Sequence, residues 1–196
     1  MAILAIATIA VVPQLRFTGI AAREGLHFFL LGAGFLLLEV RNITALALVF
    51  GSTWLVTSLA VAAVLAMALV ANALVAIGFA ARHSRLIWAA LFASIALSFL
   101  WSRLGSVTTG PQLRAFVTTL VVSATFVFTG LVFSRSFSRT ALPGTALGLN
   151  VLGTVLGGVT EFASLAIGID GLSVIALLVY ALAAATVVRP APRVPA

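Results

Sequence analysis

Cysteine and lysine are both missing from this chain of 196 residues, and acidic side chains number only four. Without cysteine there is no disulfide framework, thiolate metal site or redox pair. Without lysine, all eleven basic residues are arginine, a bias of the kind GC-rich bacterial genomes encode. Charge as a whole is scarce. Charged residues make up 8% of the chain, where a soluble domain carries about a quarter. In their place stand 63% hydrophobic residues and a mean hydropathy of +1.28. No single core hides that much apolar surface while leaving a polar exterior. The solvent for most of the chain is therefore lipid, and a multi-pass membrane protein is expected, with the bilayer as its first partner.

Other classes fall away for lack of parts. Two histidines and no cysteine make a metal site improbable. The pairs Gly32–Gly34 and Gly157–Gly158 lie inside apolar runs rather than after a strand, so they form no nucleotide or phosphate cradle. No cofactor is expected. Asp170, the only Asp, sits in a short turn, and no Ser–His–Asp combination presents itself. The net charge of +7 comes from dispersed arginines, not from a basic patch, which argues against a nucleic-acid partner.

A spanning helix needs roughly 20 apolar residues. Six runs reach or approach that length, at 26–50, 53–76, 86–101, 115–133, 145–168 and 172–188. The expected fold is thus all-α, a bundle of six long transmembrane helices plus a short hydrophobic segment at 1–12. That segment reads as a tilted helix, a half-helix or an interfacial stretch. One transmembrane domain covers 1–188, and the Pro-rich tail 189–196 reads as disordered. Residues 105–111 read as the longest loop on the outer side. Alternating the spans puts Arg16, Arg23, Arg82, Arg85, Arg135, Arg139, Arg189 and Arg193 on one side, against Arg103 and Arg114 with Asp170 on the other. Eight against two is a strong positive-inside bias. It places the C-terminus in the cytoplasm of a bacterial inner membrane.

Three ionisable residues interrupt apolar spans: Glu39, Arg41 and Glu161. A charge at the bilayer centre costs on the order of 3 kcal/mol on insertion scales, so none of them is expected to face lipid. Glu39 and Arg41 are two positions apart and point roughly 160° away from each other on a continuous helix. Either both faces of that helix are covered, or it breaks near Arg41–Asn42. Counting from the loops, Arg41 and Glu161 come out at similar depth, so Arg41 is expected to contact Glu161 with Asn42 or Asn150 nearby. Glu39 is then the carboxylate left for a proton or cation. A buried ion-pair network that merely fixes the helices is the competing reading. In the fifth run Asn150, Thr154, Gly157 and Glu161 fall on one stripe, with Ala146 and Gly153 beside it. Such a stripe is either a helix-packing face or a ligand-lining one. His27, at the cytoplasmic end of its run, reads as an interfacial anchor.

Two segments, HFFLLGAGFLLLEVRNITALALVFGSTWLV at 27–56 and ALGLNVLGTVLGGVTEFASLAIGIDGL at 146–172, resemble the membrane region of bacterial spermidine synthase-like integral membrane proteins. That resemblance covers most of the chain from residue 26 onward. It implies a membrane module without the soluble aminopropyltransferase domain those proteins usually carry, and no transferase activity follows from it. The expected function is binding or transport of a small solute, cationic and polyamine-like, with Glu39, Arg41, Asn42, Asn150, Thr154 and Glu161 as candidate ligand residues. The rivals are a non-catalytic accessory subunit, docking a membrane-protein partner or a second copy through Gly-rich faces, and an intramembrane enzyme.

Overall fold

In the computed structural model, residues 20–51, 53–79, 83–108 and 110–187 are described; they form helices and turns, with no strand among them. The expected segment at 1–12 and tail at 189–196 lie outside the described residues. The helices are α1 (Ala22–Phe50), α2 (Trp54–Ala76), α3 (Ser84–Thr108), α4 (Pro111–Phe137), α5 (Pro143–Thr160) and α6 (Gly171–Ala185). After α5 the chain passes through a 3-10 turn (Glu161–Ala163) and one last α-turn (Ser164–Ile167). All six expected helices are present. Four segments are long and apolar enough to cross a membrane: Ala22–Phe50, Ser84–Leu104, Gln112–Phe137 and Pro143–Ile167. The chain is a membrane protein.

Local chemistry sets the boundaries. Pro111 and Pro143 open α4 and α5, where the missing N–H would have had no intrahelical partner. Gly51 and Gly168, at φ +90° and +74°, stop their helices in a conformation that a Cβ disfavours. Their N–H groups close back on Ala47 O and Ser164 O, both at 2.8 Å. The expected outer loop at 105–111 is not found: α3 continues to Thr108 and α4 opens at Pro111, which leaves only residues 109 and 110 between them. Apolar run length measures the lipid-embedded part of a helix, and polar turns beyond it stay helical until a breaker arrives.

α1 is the hub, packing on α2, α4, α5 and α6. At 29 residues it is roughly 43 Å long, more than the ~30 Å of hydrocarbon, so it tilts or projects. It runs unbroken past Arg41–Asn42 with both of those residues buried, which settles the choice between a broken and a fully covered helix. Each face of α1 has its own neighbour. Phe29 and Ala33 meet Gly153 and Gly157 of α5, in parallel. His27, Gly34 and Arg41 meet Ala183, Tyr180 and Asp170 on or beside α6, antiparallel. Phe28 sets its ring edge-on to Phe133 of α4 at 6.3 Å between centroids, and Phe35 tilts against Phe126 at 6.3 Å.

The α1–α5 seam is backbone against backbone. A methyl group on Gly153 would overlap the Phe29 carbonyl, one on Gly32 the Asn150 carbonyl, and one on Gly157 would reach within 2.6 Å of Ala33 O. Small residues allow this approach, and van der Waals packing then replaces the hydrophobic drive that lipid removes. The outward face of α5 carries exposed Val151, Val155 and, in the following turns, Phe162 and Leu165, suited to acyl chains. Gly148 has open space around its Cα.

Gly153→Leu and Gly157→Leu are expected to destabilise the folded protein by more than about 2 kcal/mol each, because a rigid carbonyl cannot move aside. Gly148→Leu, one turn away and facing outward, stays within about 1 kcal/mol of the parent. Reversible unfolding in mixed micelles measures all three, and equal effects at the three positions would contradict the seam.

Candidate polar site on the hub helix

Arg41 is 3% exposed, and both of its terminal nitrogens are engaged. Its Nη1 donates to Asn42 Oδ1 at 3.2 Å and to Ser98 Oγ; its Nη2 donates to the Ser98 carbonyl at 2.9 Å. The same Nη2 faces Asp170 Oδ1 at 3.5 Å. Asp170 lies in the turn just before α6 and is held from two further sides. Ser102 Oγ donates to its Oδ1 at 2.6 Å, and Arg103 Nε stands 3.5 Å from Oδ2. The Arg103 guanidinium also sits 5.4 Å over the Phe99 ring, a cation–π contact that orients it. Ser98 and Ser102 are four residues apart and share a face of α3. The cluster therefore ties α1, α3 and the α5–α6 connection together at one end of the bundle.

The expected Arg41–Glu161 contact does not form. The ion pairs of the described residues are Arg41–Asp170 and Arg103–Asp170. The α1–α5 register explains the miss. With Gly157 on Ala33 and the helices parallel, Glu161 is level with about Leu37, roughly one turn or 6 Å short of Arg41. Arg41 also belongs to the α6 face of α1, with His27, Gly34 and Leu38, and not to the α5 face. Depth counted from loop ends could supply neither the seam register nor the side.

Glu39 and Glu161 are both half-buried, and neither has a hydrogen bond or ion pair among the described residues. Their positions on the wheel are informative. At 100° per residue, Glu39 lies roughly 80° round α1 from the ridge that faces α5, on the flank that carries Phe35. Glu161 lies roughly 50° round α5 from its Gly153–Gly157 ridge, in the opposite sense along its chain. For parallel helices these offsets bring both carboxylates to one flank of the α1–α5 seam. Arg41 is on the far side of α1.

The remaining candidates take distinct places. Asn150 Nδ2 donates to Phe28 O at 3.1 Å, stapling α5 to α1. Thr154 Oγ1 donates to Asn150 O at 3.0 Å within its own helix. Gly153 and Gly157 are buried against α1, so that part of the stripe is a packing face. Asn42 is 0% exposed; its Oδ1 accepts from Arg41, while its Nδ2 is buried without a hydrogen-bond partner.

The other end of α1 is fastened by His27, which is buried between helices at 2% exposure. Its Nδ1 lies 2.9 Å from Ala183 O, so that nitrogen carries the proton and donates; Nε2 then accepts from Ser136 Oγ at 2.9 Å. This Ser–His contact joins α1, α4 and α6. Its Nδ1 is oriented by a carbonyl, with no carboxylate in the place a catalytic triad would fill. Arg23 Nη2 adds a hydrogen bond to Ala185 O at 2.7 Å. No group of three His, Cys, Asp or Glu residues that could hold a metal occurs among the described residues.

Asp170, Ser98, Ser102 and Arg103 were missed as site residues. The signal for the serines was their spacing, four apart at the end of an apolar run next to Arg103. Asp170 carried the signal of a lone charge directly before a span. Neither a family model, a curated protein nor a solved structure matches the chain. The class is therefore defined by architecture alone: a helical membrane bundle, with six helices among the described residues and a cluster around the buried Arg41 on its hub.

Removing Asp170 strands a buried guanidinium, so Asp170→Ala is expected to lower stability by on the order of 2–3 kcal/mol. Glu161→Ala, which breaks no ion pair, changes stability by less than about 1 kcal/mol. The comparison is made by thermal or denaturant unfolding in the same detergent, and a larger loss for Glu161→Ala would contradict the observed pairing.

Proposed function

We propose that this protein is a multi-pass module of a bacterial cytoplasmic membrane that binds or moves a small cationic solute at Glu39 and Glu161. One observation carries the reading. Two carboxylates inside membrane-spanning segments flank the same helix seam, half-buried and without a cationic partner among the described residues, whereas Arg41 already has Asp170. Unpaired intramembrane carboxylates commonly mark substrate or ion pathways. Because Asp170 neutralises Arg41, the negative charge of the glutamates is left for a cation from outside the chain. Water must reach them, since a dry site would not keep them ionised.

Orientation follows from arginine placement. Arg23, Arg85, Arg135 and Arg139 belong to the His27 end of the bundle, whereas Arg103 and Arg114 belong to the Asp170 end. The positive-inside rule then puts the His27 end and the C-terminus in the cytoplasm. The resemblance to spermidine synthase-like membrane regions makes polyamines the first solutes to test. The accessory-subunit reading loses one support, because the Gly153–Gly157 face is already filled by α1.

A hydrophobic carbodiimide is expected to modify Glu39 in the membrane-embedded protein, and putrescine or spermidine to slow that modification. Glu39→Gln raises the half-saturating amine concentration at least about tenfold, as loss of a charged contact does. Labelling indifferent to every amine and inorganic cation tried would refute the reading, and co-purification at fixed stoichiometry with other membrane subunits would then replace it.

A further inference from the structure

Asn42 is fully buried, yet its amide nitrogen has no acceptor. A buried N–H group is paired in nearly every native protein, so an orphan of this kind needs an explanation. The amide cannot simply be turned over. Its Oδ1 accepts from Arg41 Nη1, and exchanging oxygen and nitrogen would set two donors against each other. Arg41 therefore fixes which way the amide faces. On the α1 wheel Arg41 and Glu39 lie on opposite sides of Asn42, at roughly 100° and 60° from it. With Oδ1 committed to Arg41, Nδ2 is the donor left over, and Glu39 is the residue three positions before it on α1. Residues three apart on a helix are surface neighbours, about 5–6 Å between Cβ atoms.

A carboxylate and an unused amide donor thus sit one turn apart on adjoining stripes of the hub helix. We infer that the solute presents a hydrogen-bond-accepting oxygen a few bonds away from its cationic nitrogen, as amino alcohols and amino amides do, with Glu39 taking the nitrogen and Asn42 Nδ2 the oxygen. This rests on the cation-binding reading above and narrows it: a bare alkylamine or polyamine fills only half of the site. Arg41 and Asp170 act here as positioning residues. They hold the amide in the orientation that leaves its donor free.

The test uses the full chain in lipid nanodiscs and two probes of matched length and charge, n-butylamine and 3-aminopropan-1-ol, each scored by the concentration that half-protects Glu39 from carbodiimide. Partitioning toward an apolar membrane site favours butylamine, so a preference for the alcohol runs against the background trend. The expected result is half-protection by the amino alcohol at about tenfold lower concentration, the scale of a buried donor regaining its partner. Asn42→Asp keeps an oxygen for Arg41 and deletes the donor; it is expected to bring the ratio to one or below. Equal protection by the two probes in the wild type, or a preference that survives Asn42→Asp, overturns the role of Asn42 and leaves cation binding in place. It would mean that the amide is served by water alone. Protection by neither probe overturns both. The wild-type ratio decides by itself if the variant does not fold.

Discussion

A guanidinium inside a membrane bundle has to be neutralised and hydrogen-bonded on every side, and satisfying Arg41 organises the upper half of this protein. The demand is met from three directions. Asp170 supplies charge, Ser98 supplies a hydroxyl and a carbonyl, and Asn42 supplies an amide oxygen. Each comes from a different stretch of chain, so meeting the electrostatic demand also fixes how α3 and the α5–α6 connection sit on α1. Its counterpart about 14 residues away, roughly 21 Å along the helix, is His27, which does the same for α4 and α6 with neutral hydrogen bonds. The hub is fastened at both ends by polar contacts, and between them by packing so close that only glycine fits.

This division of labour explains the distribution of charge. The face of α1 that meets α6 carries His27, Gly34, Leu38 and Arg41, and its polar groups are all satisfied. The face that meets α5 is apolar and tight. Glu39 lies on the flank between α5 and α4, and Asn42, whose amide nitrogen is free, lies on the adjoining stripe with Phe28 and Phe35 that meets α4. The unmet polar groups of the hub helix among the described residues are therefore two neighbours, three positions apart.

Hydropathy made the fold readable. All six helices were visible as apolar runs. Where the reading failed, as at 105–111, helical backbone continued beyond the apolar stretch. The burial of Arg41 and the central place of its helix were legible too, because two opposed charges on one span demand cover on both sides. The partner was not. Asp170 is a turn residue, as read, but that its turn packs against Arg41 and Ser102 is a tertiary event with no periodic trace. The stripe through Asn150 and Gly157 was seen, but its register against Phe29 and Ala33 depends on which carbonyl each glycine accepts as a neighbour, and that is decided by contact rather than by spacing. The burial of His27 was hidden for a related reason: it depends on neighbouring helices that overlap the end of α1.

The central claim is that Arg41 belongs to Asp170, and that Glu39 and Glu161 belong to neither it nor each other. Double-mutant cycles of Arg41→Met against Asp170→Asn, Glu39→Gln and Glu161→Gln, read as unfolding free energies in one lipid environment, address it directly. The account predicts a coupling above about 1 kcal/mol for Asp170 and values within about 0.5 kcal/mol of zero for both glutamates. A coupling to Glu161 as large as that to Asp170 would contradict it.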